Sequence, residues 1–204
     1  KADLASPELE SVLEQQCDFA NFRGIRQCAN WDDEPDFRLT DRPHLMGEPA
    51  WRRDYPVLAK YGLPFDHNVN YHQLSEVAAL MREYPDVRGV ICHLGFPIRR
   101  TTEALEVWRA GIAEVATCPN AFMQISGITL TDHNWTTASI RPFVLEAIDA
   151  FGPDRCMFGS NFPVDKLYGS FDRLFSAYYE IVAGFSDDEK RAMFYDTAAL
   201  VYRL

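Results

Sequence analysis

The 204 residues are 47% hydrophobic and 25% charged, enough for one sizeable core, so a single domain over 1–204 is expected. The net charge of −10, spread without an acidic tail, argues against nucleic acid as a partner. Apolar runs fall far short of the roughly 20 residues a membrane helix needs, and no terminal run resembles a targeting segment. A small-molecule substrate remains, with homo-oligomerisation left open.

Ser6-Pro7-Glu8 supplies an N-cap, a proline at the first helical position and an acid in the first turn. Leu9, Val12, Leu13, Cys17 and Ala20 then share one helical face. Phe22–Gln27 (FRGIRQ) reads as a strand. Residues 28–56 are long, polar and proline-bearing, which marks a long mouth loop. A second strand follows at Pro64–Asn70 (PFDHNVN), then a helix on Leu74, Val77, Leu80, Met81 and Tyr84. Val90–Leu94 (VICHL) is a third strand, followed by a helix on Leu105, Trp108, Ile112 and Val115. Ala121–Ser126 (AFMQIS) is a fourth, followed by a helix on Ile140, Phe143, Val144, Ala147, Ile148 and Phe151. Cys156–Gly159 (CMFG) closes the strand set, and Phe171, Leu174, Phe175, Tyr178 and Val182 form the next helix. A capping box from Ser186 to Glu189 starts the last one.

Strands alternating with helices imply right-handed βαβ units and a parallel sheet, either a closed (β/α)8 barrel or an open doubly wound sheet. No G-x-G-x-x-G turn or Walker loop occurs, which excludes a nucleotide cofactor of that kind and favours the TIM-type barrel. The five cysteines, Cys17, Cys28, Cys92, Cys118 and Cys156, show no C-x-x-C pair. Reduced thiols and a cytoplasmic setting follow.

Side chains alternate along a strand, and in a barrel the apolar set faces the helices. Phe65 and Val69 take that face, with His67; Asp66, Asn68 and Asn70 then face the axis. Met123 and Ile125 turn outward and Gln124 and Ser126 inward. Val90, Cys92 and Leu94 go one way, Ile91 and His93 the other. Gly24 shares a face with Arg26, and Met157 with Gly159 and Asn161. The inward set near the strand ends is Arg26, Asn68, Asn70, His93, Gln124, Ser126 and Asn161. A purely structural barrel interior would hold Val, Ile and Leu; converging polar groups mark the mouth as a site.

At these residues the chain resembles the amidohydrolase superfamily, in its amidohydrolase-related lactonase branch of sugar-lactone and pyrone-dicarboxylate hydrolases. The resembling segments are ADLASPELESVL (2–13), FRGIRQ, PFDHNVNYHQL (64–74), VICHLGFP (90–97), PNAFMQISGI (119–128) and DRCMFGSNFPVD (154–165), with the tail FYDTAALVYRL. The resemblance implies a distorted (β/α)8 barrel whose third strand ends at ADL. The first two strands and the family's His-x-His motif would then lie outside this chain, which opens Lys-Ala-Asp-Leu and has no His pair at that spacing.

By the same resemblance His93 would bind a divalent metal, zinc or manganese, or polarise the substrate carbonyl, although some members look metal-independent. Asn161 falls where the family carries the aspartate that takes a proton from the attacking water. An amide cannot act as a base, so either the chemistry is altered or the base lies elsewhere, at His93 or less readily Asp165, which could instead pair with Lys166 or cap a helix. Arg26 is a clamp for a substrate carboxylate or half of a salt bridge to Asp66. His72 reaches the mouth or sits on the surface, Gln124 stands where relatives often have lysine, and His44 lies in the long loop. The activity implied is water attack on a small, carboxylated lactone or cyclic ester. A decarboxylase-like enzyme and a non-catalytic ligand-binding barrel are the alternatives, the second because of Asn161.

Overall fold

The structure, a computed structural model, describes residues 3–204. Five parallel strands make one sheet in the order β1-β2-β3-β4-β5. They are β1 Ile25–Cys28, β2 Phe65–Asn68, β3 Gly89–Ile91, β4 Ala121–Ile125 and β5 Cys156–Phe158. Each pairs with the next along the chain, and the order never reverses. A doubly wound sheet would reverse at a switch point; sequential winding is how a (β/α)8 barrel wall is laid down. The ADL segment begins at Ala2, outside the described residues. Asp3 and Leu4 are tied to β1, because Gln27 donates to Asp3 Oδ1 and accepts from Leu4 N–H, both at 3.0 Å.

The helices are α1 Leu9–Cys17, α2 Pro49–Asp54, α3 Val57–Lys60, α4 Leu74–Glu83, α5 Thr102–Ala116, α6 Thr137–Phe151, α7 Phe171–Ile181, α8 Asp187–Arg191 and α9 Thr197–Tyr202. Caps set several starts: Thr101, Thr136, Ser170 and Ser186 each accept a backbone N–H three residues on, as N-caps do. The apolar stripes expected for α4 and α6 are buried almost residue for residue. On α1 the expectation fails in part. Ser6 accepts from Glu8 N–H in a preceding turn, the helix starts at Leu9, and only Leu9 and Leu13 are buried. It ends at Cys17, so Ala20 never joins its face, and Val12 and Cys17 stay exposed.

Strand bounds also move. The first runs from Ile25, not Phe22, because Ile25 N–H makes the first bond across to Pro64. The third stops at Ile91, two residues before the backbone turns left-handed at His93.

On the helix-facing side of the sheet, Ile25, Phe65, Ile91, Met123 and Ile125 enter the main core. The opposite, axis-facing side is layered by register, as barrel interiors are. Arg26 lies beside Asp66, Asp66 beside Val90, and Val90 beside Phe122. Above this layer Cys28 lies beside Asn68, and Gln124 beside Met157. Val90, Phe122 and Met157 form a second small cluster closed by Val201 and Tyr202 of α9.

Residues 28–56 are not a plain mouth loop. Their second half carries α2 and buries Leu45, Met46, Trp51 and Tyr55. Trp51 stacks on Tyr55 at 5.1 Å and meets Phe65 edge-on at 5.6 Å. Burying rings of this size contributes about 2–3 kcal/mol each. The first half is pinned by Asp32, whose carboxylate takes both Arg99 Nη1 and Nη2 at 2.7 Å.

Candidate active site

Chain direction changes sharply after β3. His93, Leu94, Gly95 and Phe96 have φ values of 55°, 58°, 69° and 47°. Only glycine takes this region freely; a left-handed Leu or Phe costs about 1–2 kcal/mol. The tract is held from outside. Trp108 Nε1 donates to Leu94 O at 2.7 Å, and Gly95 lies so close to Leu74 that a Cβ there would meet it at 3.0 Å. Strain that the surroundings enforce is concentrated at functional sites.

This turn corrects the expected facing. Ile91 packs in the helix-facing core and Val90 in the axis-facing cluster. Strict alternation would therefore send His93 outward with Ile91, and the left-handed step at residue 93 carries its ring back to the strand ends. There His93 is 6% exposed, its ring edge-on to Phe96 at 4.8 Å. Gly127, at φ +62°, makes room, since a Cβ would stand 2.7 Å from His93 Nδ1.

His93 Nδ1 lies 2.8 Å from Ser126 Oγ, and that hydroxyl donates to Gln124 Oε1 at 3.1 Å. The amide oxygen can only accept, so the serine proton belongs to Gln124 and the proton between His93 and Ser126 belongs to Nδ1. The lone pair is then on Nε2, for which no partner is found among the described residues. Burial, aided by the Arg26 charge, pushes the imidazole down to about 3, so the ring is neutral under ordinary conditions. Ser126 and Gln124, both of the expected inward set, are thus hydrogen-bonded into one relay with His93.

Asn161 follows β5 and is also left-handed, at φ 53°, a conformation asparagine tolerates well. Gly159, two residues earlier, packs on the His93 relay: a Cβ there would lie 3.3 Å from Ser126 Cβ. Asn161 Nδ2 donates to Asp165 Oδ1 at 2.7 Å. Asp165 is 1% exposed and turns to Asn161, not to Lys166. Burial holds its carboxyl above the usual carboxylate range.

The remaining candidates scatter. Arg26 is close enough to His93 to depress it, but its Nε and Nη2 both grip Asp66 Oδ2, at 3.2 and 3.0 Å. Tyr202 donates to the other Asp66 oxygen at 2.8 Å. The fork is thus engaged by the salt bridge named as its alternative, one layer below the strand ends. Asn68 donates to Cys28 Sγ at 3.3 Å. Asn70 braces the loop, donating to Trp31 O and Phe37 O and accepting from Asn30. His72 contacts Trp31 O at 3.0 Å, and His44 stacks on Trp31 at 6.3 Å.

On the far side of Phe96 from His93 opens a cleft of about 210 Å³ lined by Phe37, Leu39, Phe96, Ile98, Leu130, Asn30, Asn70 and Asp36, which His93 itself does not line. Phe96 is common to the cleft and to the His93 contact. The sequence reading missed Gly127, the left-handed tract and the Asn161–Asp165 bond. Glycines just past a strand, Gly95 four residues beyond β3 and Gly127 two beyond β4, were the available signal.

A zinc site needs three or four N, S or O ligands. Among the described residues no three His, Cys, Asp or Glu side chains converge on one point. Among the described residues His93 hydrogen-bonds only to Ser126 and feels the nearby Arg26 cation, so these residues do not fit a divalent ion by themselves.

The chain belongs to the amidohydrolase family, whose match runs over residues 4–204. It is 40% identical to the uncharacterized protein y4mH of Sinorhizobium fredii, over 100% of this chain and 68% of that protein. It is 31% identical to an L-fucono-1,5-lactonase of Burkholderia multivorans, over 99% of this chain and 69% of the lactonase. The crystal structure of an amidohydrolase from Burkholderia multivorans with bound zinc superposes with a TM-score of 0.84 at 28% identity, covering 100% of this chain and 72% of the other. These likenesses define a hydrolase of the lactonase-like branch on a (β/α)8 barrel.

Proposed function

We propose that this chain hydrolyses a small, uncharged lactone, with His93 as the proton acceptor. The observation that carries the reading is the neutral His93, turned to the strand ends by strained backbone and locked through Ser126 Oγ to Gln124 Oε1. L-Fucono-1,5-lactonase and L-rhamnono-gamma-lactonase relatives support a sugar lactone as substrate. With the Arg26 fork on Asp66, the substrate carboxylate expected from the sequence is left out.

Water held by Asn161 attacks the carbonyl carbon while His93 Nε2 takes its proton. The ring C–O bond then breaks, the imidazolium returns that proton to the leaving oxygen, and a hydroxy acid is released. A histidine held this low is a weak base but a ready acid. Its protonated form is short-lived, and the ring-opening half of the cycle gains most. Free thiols at all five cysteines favour a reducing compartment such as the cytoplasm.

The test is turnover of L-fucono- and L-rhamnono-lactones, against a carboxylated lactone, by the wild-type chain and His93→Gln. Hydrolysis of the neutral lactones that falls by about 100-fold or more in the variant is expected. Equal rates in the two proteins would overturn the role of His93, and preference for the carboxylated lactone would return Arg26 to the site.

A further inference from the structure

Among the described residues, three buried polar atoms behind the mouth have no well-formed hydrogen bond: Thr129 Oγ1, Asp165 Oδ2 and Tyr178 OH. They come from the turn after β4, the turn after β5 and α7. All three residues are almost wholly inaccessible, at 1%, 1% and 0% exposure. Asp165 is the hub. Burial raises its carboxyl, while Thr129 and, less strongly, Asn161 lower it; Tyr178 is raised by burial and then by Asp165. No cation is among the groups acting on it. A buried carboxylate without a cation is costly, and here its one well-formed hydrogen bond is to Asn161 Nδ2.

We propose that Asp165 is the positioning residue for Asn161: it holds the amide by Nδ2, so that Oδ1 turns to the more open side and accepts a hydrogen bond from the attacking water. This rests on the hydrolytic reading of Asn161. It also accounts for the amide at residue 161. A carboxylate there would face the Asp165 carboxylate at hydrogen-bond distance in a buried setting, and two such groups keep one proton between them. The acid at the end of the last strand and the acid one turn later exclude each other as a charged pair, and this chain keeps the inner one.

The experiment is a double-mutant cycle on the chain: wild type, Asn161→Asp, Asp165→Asn and the exchange Asn161→Asp with Asp165→Asn. Thermal midpoints are read at pH 5 and pH 8, and the pH profile of lactone turnover is read alongside. Asn161→Asp brings two carboxylates together. Its midpoint is expected to fall by about 5 °C or more at pH 8 and by much less at pH 5, where the pair retains its shared proton. The exchanged pair has one carboxylate and one amide again and should recover most of that loss at pH 8. In turnover, Asp165→Asn should lower kcat about tenfold with little change in KM, whereas the exchange adds an acidic limb to the profile. If Asn161→Asp is as stable as wild type at pH 8, or the two substitutions are additive at both pH values, the proposal is wrong. If no variant turns over any lactone, the hydrolytic reading fails and with it the catalytic purpose assigned to Asp165, while the midpoints still decide the pairing.

Discussion

His67 and His93 lie on neighbouring segments of one sheet and look alike by burial. They are 1% and 6% exposed, and burial pushes each down to about 3. Each also has a glycine against its ring: a Cβ at Gly89 would stand 3.0 Å from His67 Nε2, and one at Gly127 2.7 Å from His93 Nδ1. What separates them is backbone and partners. His67 lies within β2, on the helix-facing side, with Tyr55 OH at 3.1 Å and Phe65 edge-on at 4.8 Å. His93 stands on strained backbone beyond β3, hydrogen-bonded to a polar relay and in ring contact with Phe96, a wall of the cleft. A depressed imidazole is therefore no mark of function by itself; the direction the backbone gives it is.

Substitution should separate the two most widely. His67→Ala removes a core side chain and is expected to cost about 2–4 kcal/mol of stability, read by denaturant unfolding, while activity per folded molecule is retained. His93→Ala should cost about 1–2 kcal/mol and remove nearly all lactone turnover. Comparable activity loss in both would erase the distinction.

The glycines sharpen it. Gly127→Ala places a methyl against His93 and forces a left-handed alanine, and should cost about 1–3 kcal/mol with turnover falling out of proportion. Gly89→Ala meets Met81 Cε at 2.6 Å as well as His67. Its cost should be similar but paid in stability alone, as steady-state kinetics on the folded fraction would show.

A further effect, on the pH dependence, is one the two histidines share. Both are lowered, by burial first, from the ordinary value of 6.5 to about 3. Between those values the unfolded chain binds protons that the folded chain refuses, so stability falls as pH drops from 6.5 toward 3. Replacing either histidine by glutamine should flatten that slope in pH-dependent denaturation. In turnover, no limb near pH 6.5 should arise from His93. A limb there that vanishes in His93→Gln would show that the ring is not held neutral.

Much of the fold is legible along the chain because it rests on local regularities. The stripe Ile140, Phe143, Val144, Ala147, Ile148 and Phe151 repeats at helical spacing and is buried throughout. The Ser186–Glu189 box sits at the start of α8 as its spacing implies. The alternation in Pro64–Asn70 puts Asp66 opposite Phe65 and His67 correctly, since that stretch is regular strand. The same rule fails at His93, because alternation holds only while φ stays extended, and of the four left-handed residues in a row only Gly95 is announced locally.

The sequence alone determined the strand–helix alternation, the family, and the residue types gathered at the strand ends. The reason is that periodicity and capping depend on neighbours a few positions away. Tertiary structure decided which of those residues act together: that Arg26 pairs with Asp66, that Ser126 and Gln124 serve His93, and that Asn161 leans on Asp165. The Arg26–Asp66 and His93–Ser126 pairings depend on distances between strands far apart in the chain. The Asn161–Asp165 bond, though local, depends on a left-handed turn after β5. The His93 turn is enforced by Trp108 and Leu74 from outside. No window of sequence contains both halves of that contact.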